Sequence, residues 1–319
     1  MEIFLEKIKN NMKVLMSDKV LANLAMLVTV TLWGISFISI KIAVSEVSPI
    51  TLALLRFMIA STILFSITKK KEPTAKLQRC DRGKTIIAGF FGITLYFYFE
   101  NTGISLTTAS SAALITANIP ILAIALDVFI FKTKLSLIQL VAIIGAMSGA
   151  YLAITANGQP DFSSQTFIGN LYMVGAILSL SLYTLLNKSL NGKYSGLFLT
   201  SYQTLFGTLF LIPLSLLEYH QWHFFSWNAL GNILYLGICG SALGYFLYIY
   251  ALSKLDVTIT TLYLTLMSII GVLSGHFFLA EIIFPAQIIG GVMILISIII
   301  INRTALCQRD SSSDTNSSA

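Results

Sequence analysis

In the stretch LALLRFMIAST, Arg56 sits seven residues after Pro49 inside a run that is otherwise almost wholly apolar. A guanidinium at membrane depth costs at least ~2.5 kcal/mol, so it needs a partner or a water-lined path. Glu100 in YFYFENTG and Asp127 in ALDVFIF are carboxyls in a similar setting, and His276 in LSGHFF is an imidazole in one. Such groups can bind and release protons along a transport path, which makes Glu100, Asp127 and His276 the proton-coupling candidates. Trp33, Tyr96, Asn118, Tyr183, Gln203, Tyr245 and Tyr263 recur beside them at membrane depth. Aromatic faces attract ammonium groups, so a cavity lined this way suits a neutral, zwitterionic or cationic solute. A polyanion would call for more buried cations than Arg56 and Lys41 supply. Several of these tyrosines fit equally well as anchors at the membrane interface.

Other chemistries lack their residues. A membrane enzyme would need a paired acid and base, a nucleophile with its base, or a metal cluster. The sequence has no H-x-x-x-H, no clustered aspartates and no Cys/His ligand set. Cys80, Cys239 and Cys307 are too scattered for a disulfide framework or a metal site. We therefore expect no enzyme activity, no cofactor and no metal.

The elements that carry these residues follow from hydropathy. Of the 319 residues 56% are hydrophobic and 11% charged, against roughly 45–50% and about 25% in soluble domains. This composition describes an integral membrane protein. Ten spans are expected: Val20 to Ile42, Ser48 to Thr68, Lys84 to Gly103, Thr107 to Phe131, Leu135 to Thr155, Phe167 to Asn187, Gly196 to Leu217, Ala229 to Ala251, Thr258 to Ala280 and Ile283 to Ile301. The first run is long enough to cross a bilayer and lacks an A-x-A-like exit, so it reads as a span and not as a cleaved signal. Residues 1–19 form a cytoplasmic segment, either an amphipathic surface helix or a solvated tail, and residues 303–319 a disordered cytoplasmic tail.

Lys and Arg in short loops favour the cytoplasm. Eighteen of the 20 cations fall on one side of the expected spans, and only Lys41 and Arg56 do not. The net charge of +6 thus reports topology and not a nucleic-acid partner. Both termini are expected in the cytoplasm, in a bacterial inner or plasma membrane.

A shift of about 148 residues aligns the chain with itself. TGISLTTASSA from Thr102 meets YALSKLDVTIT from Tyr250, and Gln139 meets Gln287. The halves 20–155 and 156–302 then hold five spans each. Because five is odd, the second half enters the membrane from the opposite face, an inverted repeat common among secondary transporters. Pairs such as Gly145 with Gly149, Gly240 with Gly244 and Gly271 with Gly275 read as packing seams, and the second of these pairs also as a hinge.

At these residues the chain resembles the EamA-type permeases of the drug/metabolite transporter superfamily. The resemblance rests on LWGISFISIK in the first span, Pro49 with Arg56 in the second, TGISLTTASSAALI with Pro120, and LYIYALSKLDVTITTLYLTLMSIIGVLSG followed by LAEIIFPAQIIGG. It departs at Thr133, where a glutamate is frequent, and at Ser268, where a proline is. The resemblance implies an all-α membrane protein with ten transmembrane helices, arranged as two inverted-topology five-helix repeats around a central cavity. It also implies transport of small metabolites such as amino acids and amines, with the solute and the bilayer as partners and a proton as candidate coupling ion. A passive channel, a non-transporting membrane protein, and other solutes (carboxylates, nucleotide-related metabolites, drugs) stand as alternatives, and the oligomeric state is left open. Arg56 and Glu100 should lie at similar depth. Arg56 is expected to pair with Glu100, or else with helix-end carbonyls, either as a latch between helices or as a substrate or gate residue.

Overall fold

The computed structural model describes residues 18–119, 121–122, 125–126, 136–155, 164–190, 192–255 and 257–316. Asp127, Pro120, Thr133 and the first 17 residues lie outside the described residues, and with them the readings made there. Among the described residues every regular element is helical: α1 (Asp18–Ala43), α2 (Pro49–Lys71), α3 (Arg79–Gly89), α4 (Tyr96–Leu106), α5 (Ala109–Thr116), α6 (Leu137–Ile154), α7 (Gln165–Lys188), α8 (Gly196–Ser215), α9 (Trp227–Leu234), α10 (Gly244–Leu252), α11 (Val257–Leu279) and α12 (Pro285–Asn316). Among the described residues, five runs are long and apolar enough to cross a membrane, namely Lys19–Ala43, Pro49–Lys71, Gln165–Asn187, Gly196–Gln221 and Trp227–Leu252. Shorter apolar helices cover Leu137–Ala153, Tyr263–Leu279 and Pro285–Ile300.

The helix starts are written in the sequence. The hydroxyls of Ser136, Ser164, Ser195 and Ser226 each accept the backbone N–H three residues on, satisfying a donor that the first turn leaves orphaned. Pro49 and Pro285 stand at the first helical position of α2 and α12, where a missing N–H costs nothing. The last helix departs from expectation. It continues through residues 303–316, where an unstructured tail was expected, and no Gly or Pro between Asn302 and Asn316 interrupts it.

Two stretches widen into π-helix: Phe90–Leu95 joins α3 to α4, and Tyr235–Leu243 joins α9 to α10. The shift that aligns the halves carries Leu95 onto Leu243, the last residue of each widened stretch. The packing repeats in the same way. α1 lies against α10 and α11, and its counterpart α7 lies against α4 and α5. α2 packs on α8, and α6 on α12. Glycines set the closest approaches: a β-carbon on Gly290 would stand 2.4 Å from the Gly149 carbonyl oxygen.

Charged side chains fasten the two ends of the bundle. At one end three carboxylates each cap the start of a helix in the other half. Glu218 accepts from the Ile50 and Thr51 amides at 3.2 and 2.8 Å. Glu46 accepts from the amide and hydroxyl of Ser226, both at 2.7 Å. Glu281 accepts from the Ala109 and Ser110 amides and the Ser110 hydroxyl at 2.8, 2.9 and 2.6 Å. Ala280, in the left-handed region at φ 53°, turns the chain so that Glu281 reaches back; that position usually takes glycine. Lys41 does the converse, donating to the Ile104, Ser105 and Thr107 carbonyls at the end of α4. This accounts for one of the two cations that depart from the charge asymmetry. Glu281→Ala orphans two amides and a hydroxyl at the start of α5, and the expected cost of about 2 kcal/mol is read as a fall in melting temperature of roughly 4–8 °C.

At the opposite end Lys193 Nζ stands 3.1 Å from Asp81 Oδ1, and the Tyr194 hydroxyl donates to Asp81 Oδ2 at 2.9 Å. The Lys193 and Tyr194 hydrogen bonds hold the Asp81 carboxyl below the usual carboxylate range, and Asp81 in turn raises Lys193. A lowered carboxyl pKa contributes stability that is present above about pH 4 and lost as pH falls through the folded value. Raised Lys193 contributes stability that is lost as pH climbs through its folded value, beyond about pH 10. Asp81→Asn should therefore lower melting temperature slightly at neutral pH and flatten its fall between about pH 5 and pH 3.

Candidate functional site

Arg56 lies on the buried face of α2 with Leu52, Ala53, Phe57 and Ala60, and only 4% of it is exposed. Its Nε donates to the Ser241 hydroxyl at 2.6 Å, and its guanidinium carbon lies 4.5 Å from the Phe97 ring centre and 5.4 Å from that of Phe57. One terminal nitrogen, Nη1, is buried with no hydrogen-bond partner. On α4, Tyr96 and Glu100 are one helical turn apart, and the tyrosine hydroxyl donates to Glu100 Oε1 at 2.6 Å. Glu100 is 5% exposed.

Arg56 and Glu100 interact through space, but no ion pair joins them among the described residues. The expected direct pair, and the alternative of helix-end carbonyls, are both corrected: each charge is held by a hydroxyl instead. Ser241 reaches Arg56 from the widened helix at Tyr235–Leu243. Beside it, a β-carbon on Gly240 would crowd the Ser36 hydroxyl at 2.9 Å, while Arg56 Nη2 lies at an ordinary contact distance of 3.6 Å.

Each π-helical stretch receives an aromatic ring from the other half. The Trp33 indole donates to the Gly240 carbonyl at 2.8 Å and lies over Gly244, where a β-carbon would come within 2.6 Å of Nε1. In the first half, a β-carbon on Gly92 would come within 2.4 Å of the Tyr183 ring. Trp33 also meets Tyr245 edge-on at 5.7 Å and Tyr248 at 5.3 Å between ring centres. Tyr183 donates to Gln203 Oε1 at 2.9 Å, and Gln203 Nε2 donates to Asn187 Oδ1 at 2.7 Å. Tyr245 lies near Arg56, Glu100 and Tyr183.

The structure thus gathers buried Arg56, Tyr96, Glu100 and Gln203 with half-buried Trp33, Tyr183 and Tyr245 into one polar and aromatic cluster. It leaves three other candidates apart. Asn118, in the turn that follows α5, donates back to the Leu114 and Ile115 carbonyls of that helix. Tyr263 donates to Asn23 Oδ1 at 3.0 Å. His276 is exposed near the end of α11, with Nδ1 2.9 Å from the Glu281 carbonyl. Ser241, Tyr235 and Tyr248 belong to the cluster without having been singled out in the sequence; the one available signal was GICGSALGY, which reads as a packing seam. A hollow of about 260 Å³ opens at the Glu218 end between Ser48, Thr51, Leu55, Trp222 and Phe225, and neither Arg56 nor Glu100 lines it.

The EamA-like transporter family model matches residues 20–155 and again 167–303. The chain belongs to that family. An uncharacterized transporter of Archaeoglobus fulgidus is 29% identical over 86% of this chain and 96% of its own length. A probable terminal-alkyne amino-acid exporter of Streptantibioticus cattleyicolor is 25% identical over 89% and 94%, and the uncharacterized transporter YetK of Bacillus subtilis is 24% identical over 92% of both. A crystal structure at 16% identity superposes with a TM-score of 0.63 over 88% of this chain and 97% of its own, a likeness of fold. The EamA-like chain is therefore a two-repeat helical membrane transporter.

Proposed function

We propose that this EamA-like protein is a secondary carrier that moves a small amino acid or amine by alternating access, with ten spans in two inverted five-helix repeats and both termini in the cytoplasm. The observation that carries the reading is the buried cluster around Arg56 and Glu100. It combines one charge of each sign with half-buried aromatic rings, where the two halves meet at their π-helical stretches. Such widened turns recur at functional sites. Glycines at 92 and 244 let the Tyr183 and Trp33 rings lie directly on the backbone of the other half, which suits a seam that moves. The relative named as a probable amino-acid exporter agrees with the solute class. The eighteen cations on one side support the orientation, and the cytoplasmic end is then the one fastened by Asp81 and Lys193. Glu100 is the retained proton-coupling candidate, since His276 stands apart from the cluster.

Melting of the purified protein across amino acids, amines, carboxylates and nucleotides tests the solute class. At a hundredfold excess over Kd a true ligand adds about 2.7 kcal/mol, or roughly 5–10 °C. A shift confined to nucleotides or carboxylates would overturn the amino acid and amine assignment.

A further inference from the structure

Opposite charges buried side by side are ordinarily paired, because leaving either one alone in a low-dielectric interior is costly. Arg56 and Glu100 break that habit. Both are about nineteen-twentieths buried and they interact through space, yet each is steered by its own neutral partner: Ser241 takes Arg56 Nε and Tyr96 occupies Glu100 Oε1. The hydroxyls come from different halves of the chain. Phe97 and Phe57 flank the guanidinium and fix its plane. What remains is a guanidinium nitrogen, Nη1, with a donor and no acceptor, and the second oxygen of Glu100, which takes no hydrogen bond among the described residues.

Resting on the carrier reading above, we infer that Arg56 and Glu100 are the solute's head-group contacts, Arg56 Nη1 receiving a carboxylate and Glu100 an ammonium. The preferred solute then carries both groups on one small frame, as an α-amino acid does. A carboxylate on Nη1 satisfies the orphaned donor by a charge-assisted bond, and an ammonium completes the second carboxyl oxygen. The zwitterion brings no net charge into a cluster that is itself balanced. A simple amine or a simple carboxylate satisfies one group and leaves the other as it is, at the added cost of an unbalanced charge. Trp33, Tyr245 and Tyr248, all half-buried, are the surfaces left for the side chain.

The test compares ligands that differ only in the head group. Binding to the detergent-purified full chain is measured for L-leucine, 3-methylbutylamine and 4-methylpentanoate, and for L-phenylalanine, 2-phenylethylamine and 3-phenylpropionate. In at least one series the amino acid should bind tenfold or more tightly than either half-molecule. Arg56→Gln should remove the preference for the amino acid over its amine, and Glu100→Gln the preference over its carboxylate. Glu100→Gln keeps an acceptor for Tyr96, and the wild-type comparison needs no variant at all, so a misfolded Arg56→Gln does not stall the test. An amine that binds as well as its amino acid to the wild type overturns the head-group assignment while leaving a carrier of amines. Binding and exchange of some other solute, with none of the six probes bound, overturns the assignment but not the carrier. Failure of every solute to exchange across a membrane overturns both.

Discussion

Replacing Gly290 with alanine is expected to lower the melting temperature by roughly 5–10 °C, the scale set by overpacking costs of about 1–3 kcal/mol or more. The new β-carbon would stand 2.4 Å from the Gly149 carbonyl oxygen and 3.2 Å from the Ala153 amide. Both are backbone atoms of α6, so no rotamer change relieves the contact and the two helices must separate. In lipid no hydrophobic drive pulls helices together, and their association rests on this close backbone approach. Gly231→Ala is the control. Nothing lies within 4 Å of that β-carbon, and the gain in helix propensity of up to about 1 kcal/mol should leave stability unchanged or slightly raised. A Gly290→Ala protein that melts with the wild type would contradict the α6–α12 seam.

Gly244→Ala is expected to spare much of the stability and to cut transport at least tenfold. Its β-carbon would come within 2.6 Å of Trp33 Nε1, and the indole cannot yield without leaving the Gly240 carbonyl and its two tyrosine neighbours. The ring is therefore displaced from the cluster while the helices remain packed. Transport by reconstituted Gly244→Ala, normalised to inserted protein and set beside its melting curve, separates the two effects. Unchanged transport would remove Trp33 from the working site.

Much of this fold is legible in the sequence, because the signals are local. Serines and prolines mark the helix starts, and a sustained apolar run gives a span its length. The site is only partly legible. Trp33, Arg56, Tyr96, Glu100, Tyr183, Gln203 and Tyr245 are polar or aromatic where the composition is otherwise apolar, and that contrast finds them. Their partners are not found in this way. Ser241 looks like any small residue of a glycine-rich helix, and the switch to π-helix that aims it at Arg56 depends on packing between the halves. The same limit misplaces the Arg56–Glu100 pairing, since shared depth says nothing about azimuth. Lys41 and Glu281, which look like charges out of place or at a helix end, act as helix caps on elements distant in the chain.

The measurement that bears most directly on the carrier reading is counterflow in proteoliposomes. Vesicles loaded with unlabelled L-leucine or L-phenylalanine are diluted into trace labelled amino acid, and uptake is followed with time. A carrier that alternates access should give a transient accumulation above equilibrium, saturating with internal amino acid and lost in Arg56→Gln. Simple equilibration without overshoot, linear in concentration and indifferent to Arg56, would contradict alternating access and leave a passive pore in its place.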